Sequence, residues 1–298
     1  MEHKFATVNG VRLHYVTAGS GPLILFVHGF PEFWYAWHNQ LSEFSRDHQS
    51  VALDMRGFNL SDKPAEVKDY RAKYLVEDLR QLILALGHTR CVLVAHDWGG
   101  AAAWNLAAEH PEMVSKLVII NSPHPITFAR ALREDAGQIA ASQYMLLLRN
   151  AKAERVLSQD NFQRLAGMFS ENSDGSNGTA QILTAEEQAL YREAWAQPGA
   201  LTGGLNYYRA SPLYPPSPEQ DGDPGAAALS LDPAMFTVRV PTLIVWGERD
   251  KALLPVLLEG IEEVVTDLRI RRIPEGSHWV VHEYPEVVNR AIREFLQE

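Results

Sequence analysis

The stretch that decides the fold is CVLVAHDWGGAAAWNLA, residues 91–107. Its first part, CVLVA, is a short apolar run of the kind that forms a buried parallel strand. Its last part is rich in small residues and predicts a helix that starts near Gly99. Asp97 falls on the tight turn between the two. The segment therefore predicts a strand, a sharp turn that displays a carboxylate, and a helix.

This layout is that of a nucleophile elbow, in which Gly-x-Ser-x-Gly holds a serine above the sheet. Here the nucleophile position is an aspartate, and Ala95 replaces the first glycine. Small residues are expected because the backbone of an elbow packs too closely for larger side chains. The local pattern is equally compatible with a second hypothesis, in which Asp97 only caps the following helix.

Similar apolar runs alternate with helical patterns along the chain, which predicts an α/β sheet with right-handed crossovers. A hairpin is predicted at the N-terminus, where Asn9-Gly10 separates two alternating segments. The strand-like runs are 23–27, 51–54, 91–95, 116–120, 242–246 and 268–273, and the helix-like stretches are 71–86, 99–109, 252–264 and 285–297.

The alternation stops between about 125 and 237. This part contains helical segments, a polar loop at 171–179 and a turn-rich run at 211–225, and it shows no convincing buried strand. We therefore expect a helical insertion in the sheet domain, which would lie as a lid over the strand ends.

Composition narrows the classes of function. The chain has 298 residues, with 27 Lys plus Arg against 37 Asp plus Glu and a formal net charge of −10. This charge disfavours nucleic-acid binding, because phosphate backbones would repel it. The single cysteine, Cys91, excludes an internal disulfide and a thiolate-cluster metal site. We expect no cofactor and no membrane span, and the absence of a signal-peptide pattern predicts a cytoplasmic location.

The loop HGFPE at 28–32 follows the apolar run 23–27, as expected for an oxyanion-hole loop at the carboxyl end of a strand. The backbone N–H groups of Phe30 and Trp98 would then converge on one oxygen atom. The alternative is a plain tight turn with a buried His28.

Two further candidates come after later strands. Asp250 follows the run 242–246, and His278 follows the run 268–273. An aspartate at a helix start is often only a cap, and a lone histidine is usually structural. A histidine that follows an elbow and a post-strand aspartate in chain order has the arrangement of a catalytic triad.

Together these segments resemble the α/β-hydrolase superfamily and, within it, the epoxide hydrolases with an aspartate nucleophile. The resemblance implies a mostly parallel eight-stranded sheet flanked by helices. It also implies a core domain of residues 1–128 and 237–298 and an inserted helical cap of residues 129–236. The segments that carry it are HGFPE (28–32), RGFNLSDKP (56–64), AHDWGG (95–100), NSPHP (121–125), WGERD (246–250) and GSHW (276–279).

An aspartate suits epoxide substrates for a chemical reason. A carboxylate is ionised at neutral pH and attacks an alkyl carbon without a base to activate it. The product is an ester that water can cleave, whereas a serine would leave a stable ether. By the resemblance, His278 held by Asp250 activates that water, and the amides of Phe30 and Trp98 stabilise the oxyanion. The expected reactants are a small epoxide and water.

The family places two cap tyrosines over the epoxide oxygen, and Tyr144 and Tyr208 match them. Tyr208 fits the motif Asn-aromatic-Tyr-Arg better than its neighbour Tyr207 does, while the segment around Tyr144 departs from the family. Either tyrosine has the alternative of being a core residue. The expected substrate pocket also contains His28, Pro31, Glu32, Trp98, His124 and Trp279.

Two other functions stay open. A haloalkane dehalogenase shares the fold and nucleophile, but it needs two side-chain N–H donors for the halide. Trp98 can supply one of them, whereas Phe30 has none where such enzymes commonly carry Asn. A non-catalytic ligand-binding member of the fold has no need of a water-activating His278. The sequence leaves the preferred epoxide, the regioselectivity, the enantioselectivity and the oligomeric state undetermined.

Overall fold

Eight strands form one sheet in a computed structural model that describes residues 1–170, 182–217 and 223–298. The strands are β1 Glu2–Val8, β2 Val11–Ala18, β3 Leu23–Val27, β4 Gln49–Leu53, β5 Cys91–His96, β6 Val114–Ile120, β7 Thr242–Gly247 and β8 Leu268–Ile273. Their order is β1-β2-β4-β3-β5-β6-β7-β8. Strand β2 runs antiparallel to both of its neighbours, and the other neighbouring pairs are parallel.

Strand β3, in the middle of the sheet, is apolar throughout because both faces of the sheet are covered. In β3, Leu23, Leu25 and Val27 pack into one hydrophobic core, whereas Ile24 and Phe26 pack into the core on the opposite face. This alternation is the two-residue period of an extended chain. It explains why the run LILFV contains no polar residue.

Helices α1 and α11 cover one face of the sheet, and α2 and α3 cover the other. The described residues include no helix with both the length and the apolar character needed to cross a membrane. The helices are α1 His38–Phe44, α2 Ala72–Ala85, α3 Asp97–Glu109, α4 Pro125–Glu134, α5 Ala136–Ala141, α6 Tyr144–Arg149, α7 Ala153–Ala166, α8 Ala185–Trp195, α9 Ala200–Ala210, α10 Val280–Glu283 and α11 Pro285–Gln297. Helix α7 is interrupted at residues 159–162.

The predicted hairpin and strands are confirmed. Asn9 and Gly10 have φ values of 48° and 75°, which suit the tight turn between β1 and β2. The prediction of a helix over 252–264 is wrong, because that stretch forms two separate 3-10 turns, Pro255–Leu258 and Ile261–Glu263. Gly260 lies between the turns with a φ of 68°, which ends the first before the second begins.

The chain between β6 and β7 is helical in the parts that the structure describes. Its described residues contain α4 to α9 and no strand, whereas the predicted loop at 171–179 lies outside the described residues.

His124 joins the two ends of this inserted stretch of chain. The Nε2–H group of His124 donates to the carbonyl of Phe236 at 2.9 Å, while Nδ1 accepts from the amide of Ile126 at 3.3 Å. Burial lowers the pKa of His124 to about 4, so the ring is neutral, as these two bonds require.

Candidate active site

The predicted elbow is present at the end of β5. Asp97 is the first residue of α3 and has a φ of 49°, which is strained for a residue with a side chain. A Cβ atom on Gly99 would lie 2.3 Å from the carbonyl oxygen of Val27, and one on Gly100 would lie 2.4 Å from Oγ of Ser122. The two glycines of AHDWGG are therefore required by the close approach of the backbone after β3 and of Ser122, and the N-cap position of α3 is His96 rather than Asp97.

The two oxygens of the Asp97 carboxylate have different surroundings. Oδ1 accepts a hydrogen bond of 2.8 Å from the amide of Phe30. The amide of Trp98 lies in the first turn of α3, where no helix carbonyl is available to it. Oδ2 lies 3.8 Å from Nε2 of His278, which is too long for a hydrogen bond. One oxygen is thus held by the Phe30 amide, whereas the other makes no hydrogen bond within the described residues.

Gly29 makes this approach possible. A Cβ atom at Gly29 would lie 2.2 Å from Oδ1 of Asp97. The glycine of HGFPE therefore lets the loop backbone reach the carboxylate. The same loop is folded by a hydrogen bond from the amide of Glu32 to the carbonyl of Gly29.

His278 is held by Asp250, as the chain order predicts. Nδ1 of His278 lies 2.7 Å from Oδ2 of Asp250. The buried carboxylate also accepts from the amides of Ala252 and Leu253 and from the side chain of Asn121. Burial raises the pKa of Asp250, but the charge and hydrogen bond of His278, with these other donors, lower it overall. The imidazole is therefore fixed in orientation by an ionised, fully bonded carboxylate.

The charge state of His278 depends on Asp97. Burial lowers the pKa of His278, but the charge and hydrogen bond of Asp250, followed by the charges of Asp97 and Glu32, raise it to about 9. The ring is therefore an imidazolium at neutral pH. Because a smaller part of this rise comes from Asp97, any reaction that neutralises the Asp97 carboxylate lowers the pKa of His278 and favours the neutral ring, the form that can accept a proton.

Glu32 lies behind His278 in a buried network. Its Oε2 lies 2.9 Å from Nδ1 of His96, and its Oε1 lies 2.6 Å from Nε2 of His282 and 3.2 Å from the hydroxyl of Tyr191. Burial raises the pKa of Glu32, but the hydrogen bonds from both histidines hold it well below its ordinary value. The Nε2–H group of His96 donates to the backbone carbonyl of His278 at 2.9 Å. A carbonyl only accepts, so Nε2 is a protonated nitrogen of His96, and the ring connects Glu32 to the backbone of His278.

A cavity of about 590 Å³ lies between the elbow and the helical insertion. Asp97 and Trp98 line it on the side of the sheet, and Tyr144 of α6 and Tyr208 of α9 line it on the side of the insertion. The ring of Tyr208 lies 6.2 Å from that of Tyr144 and packs edge-on against Trp98 at 5.0 Å. The remaining wall is largely apolar and includes Phe128, Met145, Leu213, Leu231 and Leu253.

The structure distinguishes Tyr208 from Tyr207. The hydroxyl of Tyr207 donates to the backbone carbonyl of Arg56 at 2.8 Å, so its proton is already engaged. Tyr208 makes no such bond to the backbone among the described residues, and its ring faces Trp98 and Tyr144. Burial raises the pKa of all three phenols, which keeps them protonated at neutral pH.

Of the six residues expected to line the pocket, the structure places Trp98 in the cavity wall, and the others are engaged in contacts behind it. His28 donates from Nδ1 to the carbonyl of Gly29 and accepts from the amide of Met55, while burial lowers its pKa. The other bonds join Pro31 to Trp195, Trp279 to Met168, Glu32 to His96 and His124 to Phe236.

Sequence reasoning missed several residues that support the site. Asn121 and Ser122 follow β6, and Ser122 donates to the carbonyl of Asp97 at 2.7 Å. Their position directly after a strand was the available signal. Tyr191 and His282 carried no such signal, because they reach Glu32 from distant helices. Within the described residues, no group of three or more His, Cys, Asp or Glu side chains is arranged to hold a metal ion.

Comparison with known proteins agrees with this geometry. Residues 22–285 match the model of a family described by its α/β-hydrolase fold. The chain is 38% identical over 294 residues to epoxide hydrolase 3 of Xenopus tropicalis, which covers 97% of this chain and 76% of the relative. It is 37% identical over 295 residues to epoxide hydrolase 4 of Mus musculus, with 97% and 77% covered.

Solved structures give the same result. An inhibitor complex of the epoxide hydrolase of Bacillus megaterium is similar to this chain with a TM-score of 0.86 and 37% identity, over 99% of this chain and 100% of the other. An epoxide hydrolase from metagenomes of hot environments has a TM-score of 0.87 and 34% identity, over 99% and 98%. The chain therefore belongs to the α/β-hydrolase family and, within it, to the group of the epoxide hydrolases.

The dependence of His278 on Asp97 can be tested by NMR titration of the histidine rings. We expect His278 to titrate with a pKa of about 9 in the native protein and at a lower value in Asp97→Asn, which removes the charge but keeps the shape. Folding raises the pKa of His278 above its ordinary value of 6.5. The free energy of unfolding that the ion pairs of His278 contribute is therefore complete below pH 6.5 and is lost as the pH rises through about 9.

His124 serves as the internal control in the same spectra. Its pKa is lowered by burial and does not depend on a carboxylate, so it should be the same in both proteins. An unchanged pKa of His278 in Asp97→Asn would contradict the proposed coupling.

Proposed function

We propose that this protein hydrolyses epoxides to vicinal diols through a covalent ester on Asp97. The observation that carries the proposal is the asymmetry of the Asp97 carboxylate. Oδ1 is held by the amide of Phe30, while Oδ2 has no hydrogen bond within the described residues and faces a cavity lined by two phenols, Tyr144 and Tyr208. The similarity to epoxide hydrolases over nearly the whole chain supports the same activity.

In the first step, Oδ2 of Asp97 attacks a ring carbon and the bond from that carbon to the epoxide oxygen breaks. The resulting alkoxide takes a proton from Tyr144 or Tyr208, and the phenol regains a proton from solvent. Both phenols are protonated at neutral pH, so they can donate. The carboxylate has become a neutral ester, which lowers the pKa of His278 and lets its ring release a proton to solvent.

In the second step, His278 takes a proton from water as the water oxygen adds to the ester carbonyl carbon. The amides of Phe30 and Trp98 stabilise the oxyanion that forms. The intermediate then collapses, the bond from the carbonyl carbon to the alkyl oxygen breaks, and the diol alkoxide takes the proton back from His278. Asp97 is left as a carboxylic acid and transfers its proton to His278, which restores the ion pair.

We also propose that residues 129–236 act as a cap on a core formed by residues 1–128 and 237–298. Support comes from the helices between β6 and β7, which supply Tyr144 and Tyr208 to a cavity whose opposite wall is the elbow. A cap of this kind would exclude bulk water from the first step. Location in the cytoplasm stays a prediction from the sequence.

The surroundings of Asp97 disfavour a haloalkane dehalogenase. A departing halide would need N–H donors, and Phe30 supplies only its backbone amide, which is already bonded to Oδ1. The two phenols that face the nucleophile instead suit a leaving oxygen that must gain a proton. Release of diol from styrene oxide, measured beside release of bromide from 1-bromobutane, separates the two activities.

The origin of the diol oxygen tests the covalent step. In a single turnover in heavy-oxygen water, the new diol oxygen should come from Oδ2 of Asp97 and carry no label, while the label enters the enzyme. Mass spectrometry of the diol and of the peptide that contains Asp97 measures both. A labelled diol in the first turnover would mean that water attacks the epoxide directly.

Removal of the water-activating histidine should trap the ester. In His278→Gln, Asp97 keeps its reactive oxygen but the ester has no base to activate water, so intact mass should increase by the mass of one substrate. Asp250→Asn should accumulate less ester, because the base is misoriented rather than absent. The double variant Asp97→Asn/His278→Gln is the control and should show no adduct. If His278→Gln retains turnover and forms no adduct, then His278 is only structural.

The hydroxyl groups of Tyr144 and Tyr208 should accelerate the opening of the epoxide ring. Tyr208→Phe and Tyr144→Phe should each slow alkylation on the order of 10²-fold, because they remove a donor to charge that exists only as the bond breaks. Binding of a diol should be nearly unchanged. Tryptophan fluorescence before the steady state reports the alkylation rate.

Tyr207→Phe is the matched control, because the Tyr207 hydroxyl is bonded to the carbonyl of Arg56. It should slow alkylation far less than Tyr208→Phe. The opposite order would show that the assignment of the donor is displaced by one residue. If no tyrosine variant slows alkylation, another group protonates the oxygen.

A further inference from the structure

Helix α9 carries two neighbouring pairs of residues, each spaced four apart, in the sequence GGLNYY at 203–208. Residues four apart lie on the same face of a helix, one turn above the other. Gly203 therefore shares a face with Tyr207, and Gly204 shares the adjacent face with Tyr208. Each pair joins a residue without a side chain to a tyrosine.

The first face rests directly on the backbone of the core domain. A Cβ atom on Gly203 would lie 2.3 Å from the carbonyl oxygen of Gly57 and 2.5 Å from its Cα. The two glycines therefore touch backbone to backbone. One turn further along, the hydroxyl of Tyr207 donates to the carbonyl of Arg56 at 2.8 Å. These two contacts hold the helix against residues 56–57.

The loop beneath the helix is itself firmly fixed. The guanidinium of Arg56 makes a buried two-pronged ion pair with Asp78 of α2, with bonds of 2.6 and 2.5 Å, and also donates to the carbonyl of Asp69. The amide of Gly57 donates to the carbonyl of Asp62 at 2.8 Å. A bidentate pair of this kind defines orientation as well as distance. The helix therefore rests on a rigid part of the core.

The second face approaches the oxyanion loop. A Cβ atom on Gly204 would lie 2.8 Å from Cδ2 of Phe30, the residue whose amide binds Oδ1 of Asp97. The ring of Phe30 in turn packs edge-on against Tyr208 at 5.4 Å. The absence of a side chain at Gly204 thus sets how closely Tyr208 approaches the loop that holds the nucleophile.

We propose that Gly203, Gly204 and Tyr207 are positioning residues, which set the distance of the Tyr208 hydroxyl from the reacting atoms. This inference rests on the proposed function of Tyr208 as a donor in ring opening. Hydrogen-bond donation to a developing alkoxide requires close geometry, and a displacement of about 1 Å can cost on the order of 10²-fold in rate. A side chain at Gly203 would displace the helix by about that much.

The test compares three alanine variants. Gly203→Ala meets backbone that cannot move aside, so it should slow alkylation at least 10-fold. Gly204→Ala meets the side of an aromatic ring, so its effect should be smaller. Gly167→Ala is the matched control, because Gly167 has a helical φ of −65° and a Cβ there would meet nothing within 4 Å. It should leave the alkylation rate unchanged. Diol binding should be nearly unchanged in all three, and the rate of ester hydrolysis should be nearly unchanged in Gly203→Ala and Gly167→Ala.

A double-mutant cycle separates positioning from a general loss of structure. If Gly203 acts through Tyr208, then Gly203→Ala should have almost no further effect on alkylation in the Tyr208→Phe protein. Tyr207→Phe keeps the ring and removes one hydroxyl, so it should give a loss of a few-fold that also disappears in that background. This variant remains informative if Gly203→Ala fails to fold.

Two results would overturn the inference. One is a full effect of Gly203→Ala or Tyr207→Phe in the Tyr208→Phe background. The other is an equal slowing of alkylation and ester hydrolysis. Failure of the proposed function is distinguishable, because the unchanged protein would then release no diol from styrene oxide.

Discussion

The site depends on the close contact between the loop after β3 and the turn after β5. There, the amide of Phe30 meets Oδ1 of Asp97 at 2.8 Å, and the approach is possible because Gly29 and Gly99 carry no side chains. The contact holds Asp97 in a conformation whose φ of 49° is unfavourable. It also makes the two carboxylate oxygens different. The cavity, His278 and the two phenols surround Asp97, whose second oxygen has no hydrogen bond within the described residues.

Much of this arrangement is readable in the sequence because it lies at strand ends. Apolar runs locate the strands, and parallel strands bring their carboxyl ends to one edge of the sheet. Asp97, Asp250 and His278 each follow such a run, and the structure brings them together at 3.8 and 2.7 Å. The turn at Asn9-Gly10 was predictable for a similar reason, since its conformation is a local property of two residues.

Other parts are not local and could not be read in this way. Glu32 lies within a motif of the site, yet its side chain turns away from the cavity to His96 and His282, and only the packing of distant helices decides this. The family motif favours Tyr208 over Tyr207, but the different contacts of the two side chains depend on where α9 rests, which is set by the backbone of Gly57. The prediction of a helix over 252–264 was wrong because the spacing of its apolar residues is equally compatible with the two short 3-10 turns that form there.

The hydrogen bond between His124 and Phe236 affects how the sequence of the inserted chain can evolve. Because one imidazole joins the points where the inserted chain leaves and re-enters the sheet domain, the insertion is attached as a closed loop. Substitutions, insertions or replacements within that loop reshape the cavity wall without altering the register of any strand. Substrate preference can therefore diversify in one part of the chain while the elbow and its histidine are inherited intact.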